Sequence, residues 1–143
     1  MKPTTAVVCV LLLAACSGGR PASSPAPEPG RYEYTGRYLP PGAAQPHLFR
    51  GVLVVTSVTR ERIDGRWEVP GFDPDVQLGA WTNGAYDIGA DVSREGLLGT
   101  FNHRIVPGRD GAWTCTAVFV GRTGGGGAPV SNPATCTLAR AGG

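Results

Sequence analysis

After residue 30, apolar and polar residues alternate along most of the chain, which is the pattern of β-strands with one buried face. The alternation is clearest over residues 32–38, where three tyrosines and a glycine share one face. It recurs over residues 63–69 and 86–92. Further stretches are rich in β-branched and aromatic residues, namely 49–59, 97–106, 113–120 and 135–140. Because no window holds a helical stripe, we expect an all-β domain of about eight strands over residues 31–143.

Turn signals separate these stretches at short intervals. Asn83-Gly84, between Trp81 and Tyr86, predicts a two-residue hairpin because both residues tolerate the positive φ of a type I′ turn. The other turn signals are Pro40-Pro41-Gly42, Asp64-Gly65, Asp73-Pro74, Glu95-Gly96, Asp110-Gly111 and the glycines of residues 124–127. Short connections between consecutive strands favour a small antiparallel up-and-down barrel, with a two-sheet β-sandwich as the alternative.

A recurring unit of a glycine, any residue and an aromatic residue also favours the barrel. In a strand the glycine and the ring share one face, so the glycine permits strong curvature and the ring covers the space beside it. The aromatic residues of these units are Tyr38, Trp67, Trp81, Tyr86, Phe101 and Trp113. We expect these rings either to fill the centre of the barrel or to line the mouth of a ligand cavity.

The N-terminus has the organisation of an export signal. Lys2 precedes an unbroken apolar run over residues 6–15, whose helix of about 15 Å is too short to cross a bilayer core of roughly 30 Å. The run ends in Leu13-Ala14-Ala15-Cys16, which resembles the lipobox of bacterial lipoproteins. The resemblance implies cleavage before Cys16, lipid attachment to its sulfur and acylation of the new amino terminus. The alternative is an ordinary signal peptide in which Cys16 is incidental.

Residues 17–30 are rich in proline, glycine and serine and contain no large apolar side chain. We expect them to form a disordered tether that spans roughly 40 Å. The predicted organisation is therefore a signal peptide at 1–15, a lipidated cysteine and tether at 16–30, and a single β-domain at 31–143. Ser17 follows the cysteine where lipoproteins of the inner membrane carry aspartate, so the resemblance implies the outer membrane of a two-membrane envelope.

Basic and acidic residues are nearly balanced, with thirteen Lys and Arg against eleven Asp and Glu. Because the charges alternate in sign, the chain lacks the basic patch that nucleic-acid binding requires, and no nucleic-acid partner is expected. Cys115 and Cys136 are the cysteines of the predicted β-domain. The oxidising envelope favours a disulfide between them, closing a loop of about twenty residues.

The sequence contains no Gly-x-Ser-x-Gly elbow, no His-Glu-x-x-His pair and no phosphate-binding loop. His47 and His103 stand apart from each other and from the cysteines, so no metal-ligand spacing is present. We therefore expect a non-enzymatic protein without a cofactor or metal, in which His103 is a structural group of its strand.

Two classes of function are compatible with these observations. The first is an interaction or inhibitory module for an envelope protein, which would use loops such as 40–47 or 121–133 and is similar in outline to small periplasmic protease inhibitors with one disulfide. The second is a receptor for a small apolar or amphipathic ligand, whose strand pattern is similar to that of lipocalins and avidins. A receptor needs an interior void of about 300 Å³ or more, whereas a protein binder can have a filled interior and an exposed apolar patch.

Overall fold

The computed structural model of the protein describes residues 28–94, 96–108, 112–124 and 126–142. The predicted signal peptide, the lipobox at Leu13 to Cys16 and most of the predicted tether lie outside this part of the chain. Within it, no helix is long and apolar enough to cross a membrane. The strands are β1 (Gly30–Tyr38), β2 (His47–Val58), β3 (Ile63–Glu68), β4 (Gln77–Thr82), β5 (Ala85–Arg94), β6 (Leu97–Pro107), β7 (Ala112–Thr123) and β8 (Val130–Arg140).

The eight strands form a single antiparallel sheet in the order β3-β2-β1-β8-β7-β6-β5-β4. Pairing of β1 with β8 joins the beginning of the domain to its end. The outermost strands, β3 and β4, approach each other through a bridge between Arg62 and Ala80, and the amide of Trp81 donates to the carbonyl of Glu61 at 2.7 Å. The sheet is therefore a nearly closed barrel, and the predicted all-β fold of eight antiparallel strands is confirmed.

The alternating pattern corresponds to the inner and outer faces of this barrel. Residues 32, 34, 36 and 38 of β1 are buried and their neighbours are exposed, and the even positions 86–92 of β5 are likewise buried. The predicted hairpin is confirmed, because Asn83 and Gly84 have φ values of 49° and 80° and connect β4 to β5. Asp110-Gly111 and Glu95 lie outside the described residues. Among the turn signals that the structure does describe, one was wrong: Asp64-Gly65 lies inside β3, where the missing Cβ of Gly65 allows close approach to the carbonyl of Val54.

Strand β8 begins at Val130, five positions before the predicted start at Thr135, despite a proline within it. Pro133 pairs with Val118 of β7, whereas the pairing of β8 with β1 starts only at Thr135. One edge of β8 is thus unpaired around Pro133, which is where a strand tolerates a residue without an amide proton. As a result, the β7–β8 hairpin extends past the end of β1.

In the interior, aromatic rings cover the space beside glycines. The covering ring does not always follow its glycine along the chain, as the recurring unit predicted. A Cβ on Gly36 would overlap the hydroxyl oxygen of Tyr34, so the ring that covers this glycine precedes it. Gly121 is likewise covered by Phe119, whose Cζ would be 2.8 Å from an added Cβ. Gly84 is a turn residue, outside the strands.

The barrel has two ends that differ in what they carry. At the near end the chain enters β1 at Gly30, and the connections β2–β3, β4–β5 and β6–β7 lie there. The far end carries the connections β1–β2, β3–β4, β5–β6 and β7–β8. Both segments predicted as interaction loops, 40–47 and 121–133, therefore belong to the far end. The second loop is shorter than expected, because β7 continues to Thr123 and β8 begins at Val130.

Candidate functional site

The interior of the barrel is filled by aromatic rings that reach across it from opposite walls. Phe101 of β6 is central to this packing, and its ring centroid lies 5.1 to 6.1 Å from those of Tyr38, Phe49, Phe72, His103 and Phe119. All of these side chains are buried. Rings from β1, β2, β6, β7 and the β3–β4 connection thus occupy the volume that a receptor would keep for its ligand.

The six residues predicted as ligand-binding candidates are divided between this interior and the near end. Tyr38, Trp67 and Phe101 are buried in the packed core, and the indole N–H of Trp67 donates to the carbonyl of Gly89 at 3.1 Å. Tyr86 and Trp113 are buried closer to the near end. Trp81 is 40% exposed and packs against Tyr86 with ring centroids 4.6 Å apart.

Among the described residues, two buried polar side chains of the core, Tyr34 and His103, are hydrogen-bonded to each other. Nε2 of His103 accepts a hydrogen bond from the hydroxyl of Tyr34 at 2.8 Å, if Nδ1 carries the proton that reaches the carbonyl of Ile88 at 3.2 Å. Burial lowers the pKa of His103 to about 4, although the bond to Ile88 opposes this shift, and burial raises the pKa of Tyr34. With both ring nitrogens engaged and only 1% of the residue exposed, His103 stabilises the core as a neutral side chain.

The predicted disulfide is confirmed. Cys115 of β7 and Cys136 of β8 are directly opposite in the antiparallel register, with a Cα–Cα distance of 5.3 Å and a sulfur–sulfur bond. The bridge lies on the inner face of the two strands that form the protruding hairpin. Among the described residues, no group of His, Cys, Asp and Glu side chains is arranged to hold a metal ion.

Outside the barrel, apolar side chains gather on the wall next to the far end. We call this surface the distal band; its exposed residues are Leu39, Leu48, Leu98, Val118, Val120 and Pro133. The sheet register makes the band continuous. Val118 faces Pro133 across the β7–β8 pair, Val120 faces Thr100 of β6, and Leu98 is diagonal to Val120.

The β1 side of the band joins it to the loop that precedes β2. Leu39 and Pro133 line one open cleft of about 320 Å³ together with Arg37. At the other side, Leu98 lies in an open cleft of about 510 Å³ beside Arg122. Leu98 is the most exposed of the large apolar side chains on the described surface, at 63%. An exposed apolar surface of this kind, bordered by polar residues, is typical of a protein-interaction site.

Charges are distributed unequally around the barrel. Five ion pairs join described residues: Arg31–Glu68, Arg62–Asp64, Arg66–Glu68, Arg104–Asp87 and Arg140–Glu28. Four exposed arginines have no ion-pair partner within the described ranges, namely Arg37, Arg50, Arg60 and Arg122. Of these, Arg37 and Arg122 line the two clefts beside the distal band. Exposed guanidinium groups of this kind are available to a binding partner.

The sequence interpretation missed the distal band, although one signal for it exists. Residues 117–120 are Ala-Val-Phe-Val, so β7 is apolar on its outer as well as its inner face at this point. Leu97-Leu98 gives the same signal in β6.

The chain matches no protein-family model, no curated protein and no solved structure.

Proposed function

We propose that the protein is a lipid-anchored, non-enzymatic interaction module of the cell envelope, which binds another protein through the distal band. The observation that carries this proposal is the contrast between a filled interior and an exposed apolar outer surface. A filled interior leaves no room for a ligand of the size that lipocalin-like receptors accept, so the receptor alternative has less support.

The orientation of the domain supports the same function. Glu28, where the described chain begins, is held at the near end by the ion pair with Arg140 at 2.6 Å, and its carbonyl accepts from the Tyr32 hydroxyl at 2.6 Å. A tether that enters there would place the far end away from the membrane. The distal band would then face the envelope space, where protein partners are accessible.

The lipid anchor is tested by replacing Cys16 with serine. If the sulfur of Cys16 carries the lipid, Cys16→Ser releases the domain into the soluble fraction, because the remaining apolar run is too short to span the bilayer. Continued fractionation of the variant with membranes would refute the lipobox interpretation.

The interaction surface is tested with a matched pair of variants. Val118 and Val106 are exposed to 41% and 42% on the outer faces of adjacent strands, but only Val118 belongs to the distal band. We expect affinity capture with the intact lipoprotein from its own envelope to retain a partner with wild type and with Val106→Glu. Capture with Val118→Glu should lose that partner. Equal retention by both variants would refute binding through the distal band.

A further inference from the structure

We infer that the partner contacts the distal band with an apolar segment that carries carboxylates, which pair with Arg37 and Arg122. This inference rests on the proposed function, because it specifies the chemistry of the surface that the same band would recognise. It depends on the charges that border the band.

The two arginines are placed at opposite sides of the band, and each adjoins apolar residues of it. Arg37 shares its cleft with Leu39 and Pro133, and Arg122 shares its cleft with Leu98. Arg122 also faces Leu98 directly in the β6–β7 register. A partner side chain that buries against the band would therefore bring its neighbours within reach of a guanidinium group, which binds carboxylates through paired hydrogen bonds.

The register also gives the spacing of the two charges. Arg37 is in line with Thr135 of β8 and Thr116 of β7, and Arg122 lies further along β7. Arg122 lies about 20 Å along the strand from Thr116, and the two strand spacings between β7 and β1 add about 10 Å at right angles, so the diagonal on the barrel wall is about 22 Å. An extended segment of about six to seven residues spans this distance, so one partner segment can reach both arginines.

The side of the band next to β5 carries a negative charge, which determines where the carboxylates of the partner segment can lie. Asp91 of β5 faces Thr100, whose hydroxyl donates to the Asp91 carboxylate at 2.6 Å. Partner carboxylates on this side would be repelled, so they should lie towards Arg37 and Arg122. The surface therefore selects a partner by the position of its carboxylates as well as by its apolar side chains.

The test combines site-specific crosslinking with charge reversal in the full-length protein in its own cells. A photoreactive benzoylphenylalanine replaces Val118, and the crosslinked peptide of the partner is identified. We expect that peptide to contain apolar residues with Asp or Glu within about six positions. The double variant Arg37→Glu/Arg122→Glu should reduce the crosslinking yield about tenfold or more, because it puts like charges face to face.

Arg60 provides the matched control. It is exposed in the β2–β3 connection at the near end and, like the two band arginines, has no ion-pair partner among the residues that the structure describes. Arg60→Glu should leave the yield unchanged. Substitution of the partner's carboxylates by arginine should restore crosslinking to the double variant.

The failures of the two proposals are distinguishable. If Val118 crosslinks no protein, or only lipid or a second copy of this chain, the proposed function and this inference both fail. If Val118 crosslinks a partner whose contact peptide lacks carboxylates, only the inference fails. The same holds if Arg60→Glu weakens the crosslink as much as the double variant does.

Discussion

The inner and outer faces of the β6–β8 wall are built from the same three strands but differ in almost every property. Inside, Phe101, His103 and Phe119 pack against rings from the opposite wall, and no buried side-chain nitrogen or oxygen of the described residues lacks a hydrogen bond. Outside, Leu98, Val118 and Val120 are exposed, and Leu98 faces Arg122, which has no ion-pair partner among the described residues. The stabilising contacts therefore lie in the interior, and the side chains of the outer face contribute few of them.

We therefore expect changes to the inner face to lower the free energy of unfolding, and changes to the distal band to leave it nearly unchanged.

The largest expected effect is that of the disulfide. Cys115→Ala/Cys136→Ala opens a loop with a sequence separation of 21 residues. It should lower the free energy of unfolding by about 3 kcal/mol, because the unfolded chain gains conformational entropy. Urea denaturation measures this loss, and chemical reduction of the wild type should reproduce it. An unchanged midpoint would refute a stabilising bridge.

The buried histidine makes stability depend on pH. Its pKa of about 4 in the folded protein lies below the ordinary value of 6.5, so the unfolded chain binds a proton more readily between these values. Protonation of His103 therefore does not reduce the free energy of unfolding above pH 6.5. As the pH decreases from 6.5 to 4, it lowers this free energy by about 3 kcal/mol in total.

The variant His103→Gln isolates this effect, because glutamine keeps a hydrogen-bonding group for Tyr34 and does not titrate. Denaturation of both proteins between pH 7 and pH 4 gives two curves whose difference belongs to His103. We expect the wild type to lose more stability on acidification than the variant. Parallel curves would mean that His103 is not held neutral in the core.

A smaller effect on the free energy of unfolding is expected at Gly36, which leaves space for the hydrogen-bonded pair of Tyr34 and His103. Gly36→Ala adds a methyl group that overlaps the Tyr34 hydroxyl, which must then move away from His103. We expect a loss of about 2 kcal/mol in the free energy of unfolding, typical of overpacking in a core. Gly142→Ala is the matched control, because Gly142, like Gly36, is not in the positive-φ region, and an added Cβ there meets only open space. A change no larger than that of Gly142→Ala would argue against the overlap.

The smallest effect is expected on the outer face. Val118→Glu and Val106→Glu each place a charge on an exposed position of the barrel wall. Both should change the free energy of unfolding by no more than about 0.5 kcal/mol, as is usual for surface substitutions. A large loss for Val118→Glu alone would show that its position is part of the stabilising core, and the separation of the two faces would fail.

The sequence predicted the elements that depend on local pattern. Alternation in β1, β3 and β5 indicated which residues face inward, and Asn83-Gly84 indicated its hairpin, because both signals lie within a few neighbouring residues. Gly65 was misinterpreted as a turn signal because its role depends on the carbonyl of Val54 in the adjacent strand.

The candidate site was harder to predict because it is assembled from distant residues. Tyr34 and His103 are 69 positions apart, and Leu39 meets Pro133 only because β1 pairs with β8. Which aromatic rings fill the interior also depends on closure of the sheet. Periodicity therefore identified the inner-facing residues of several strands. It could not show whether the interior was filled or which outer-facing residues are neighbours.

Tryptophan fluorescence tests most directly whether the barrel binds through its outer face or its interior. Trp81→Phe removes the exposed indole and leaves the buried Trp67 and Trp113 as reporters of the interior. Titration of this variant with lipid extracts of the native envelope should produce no saturable shift or quenching of the emission, because the packed rings leave no ligand space. A saturable change would show that a small apolar ligand enters the barrel, and would contradict the proposal that the barrel is a filled scaffold for protein binding.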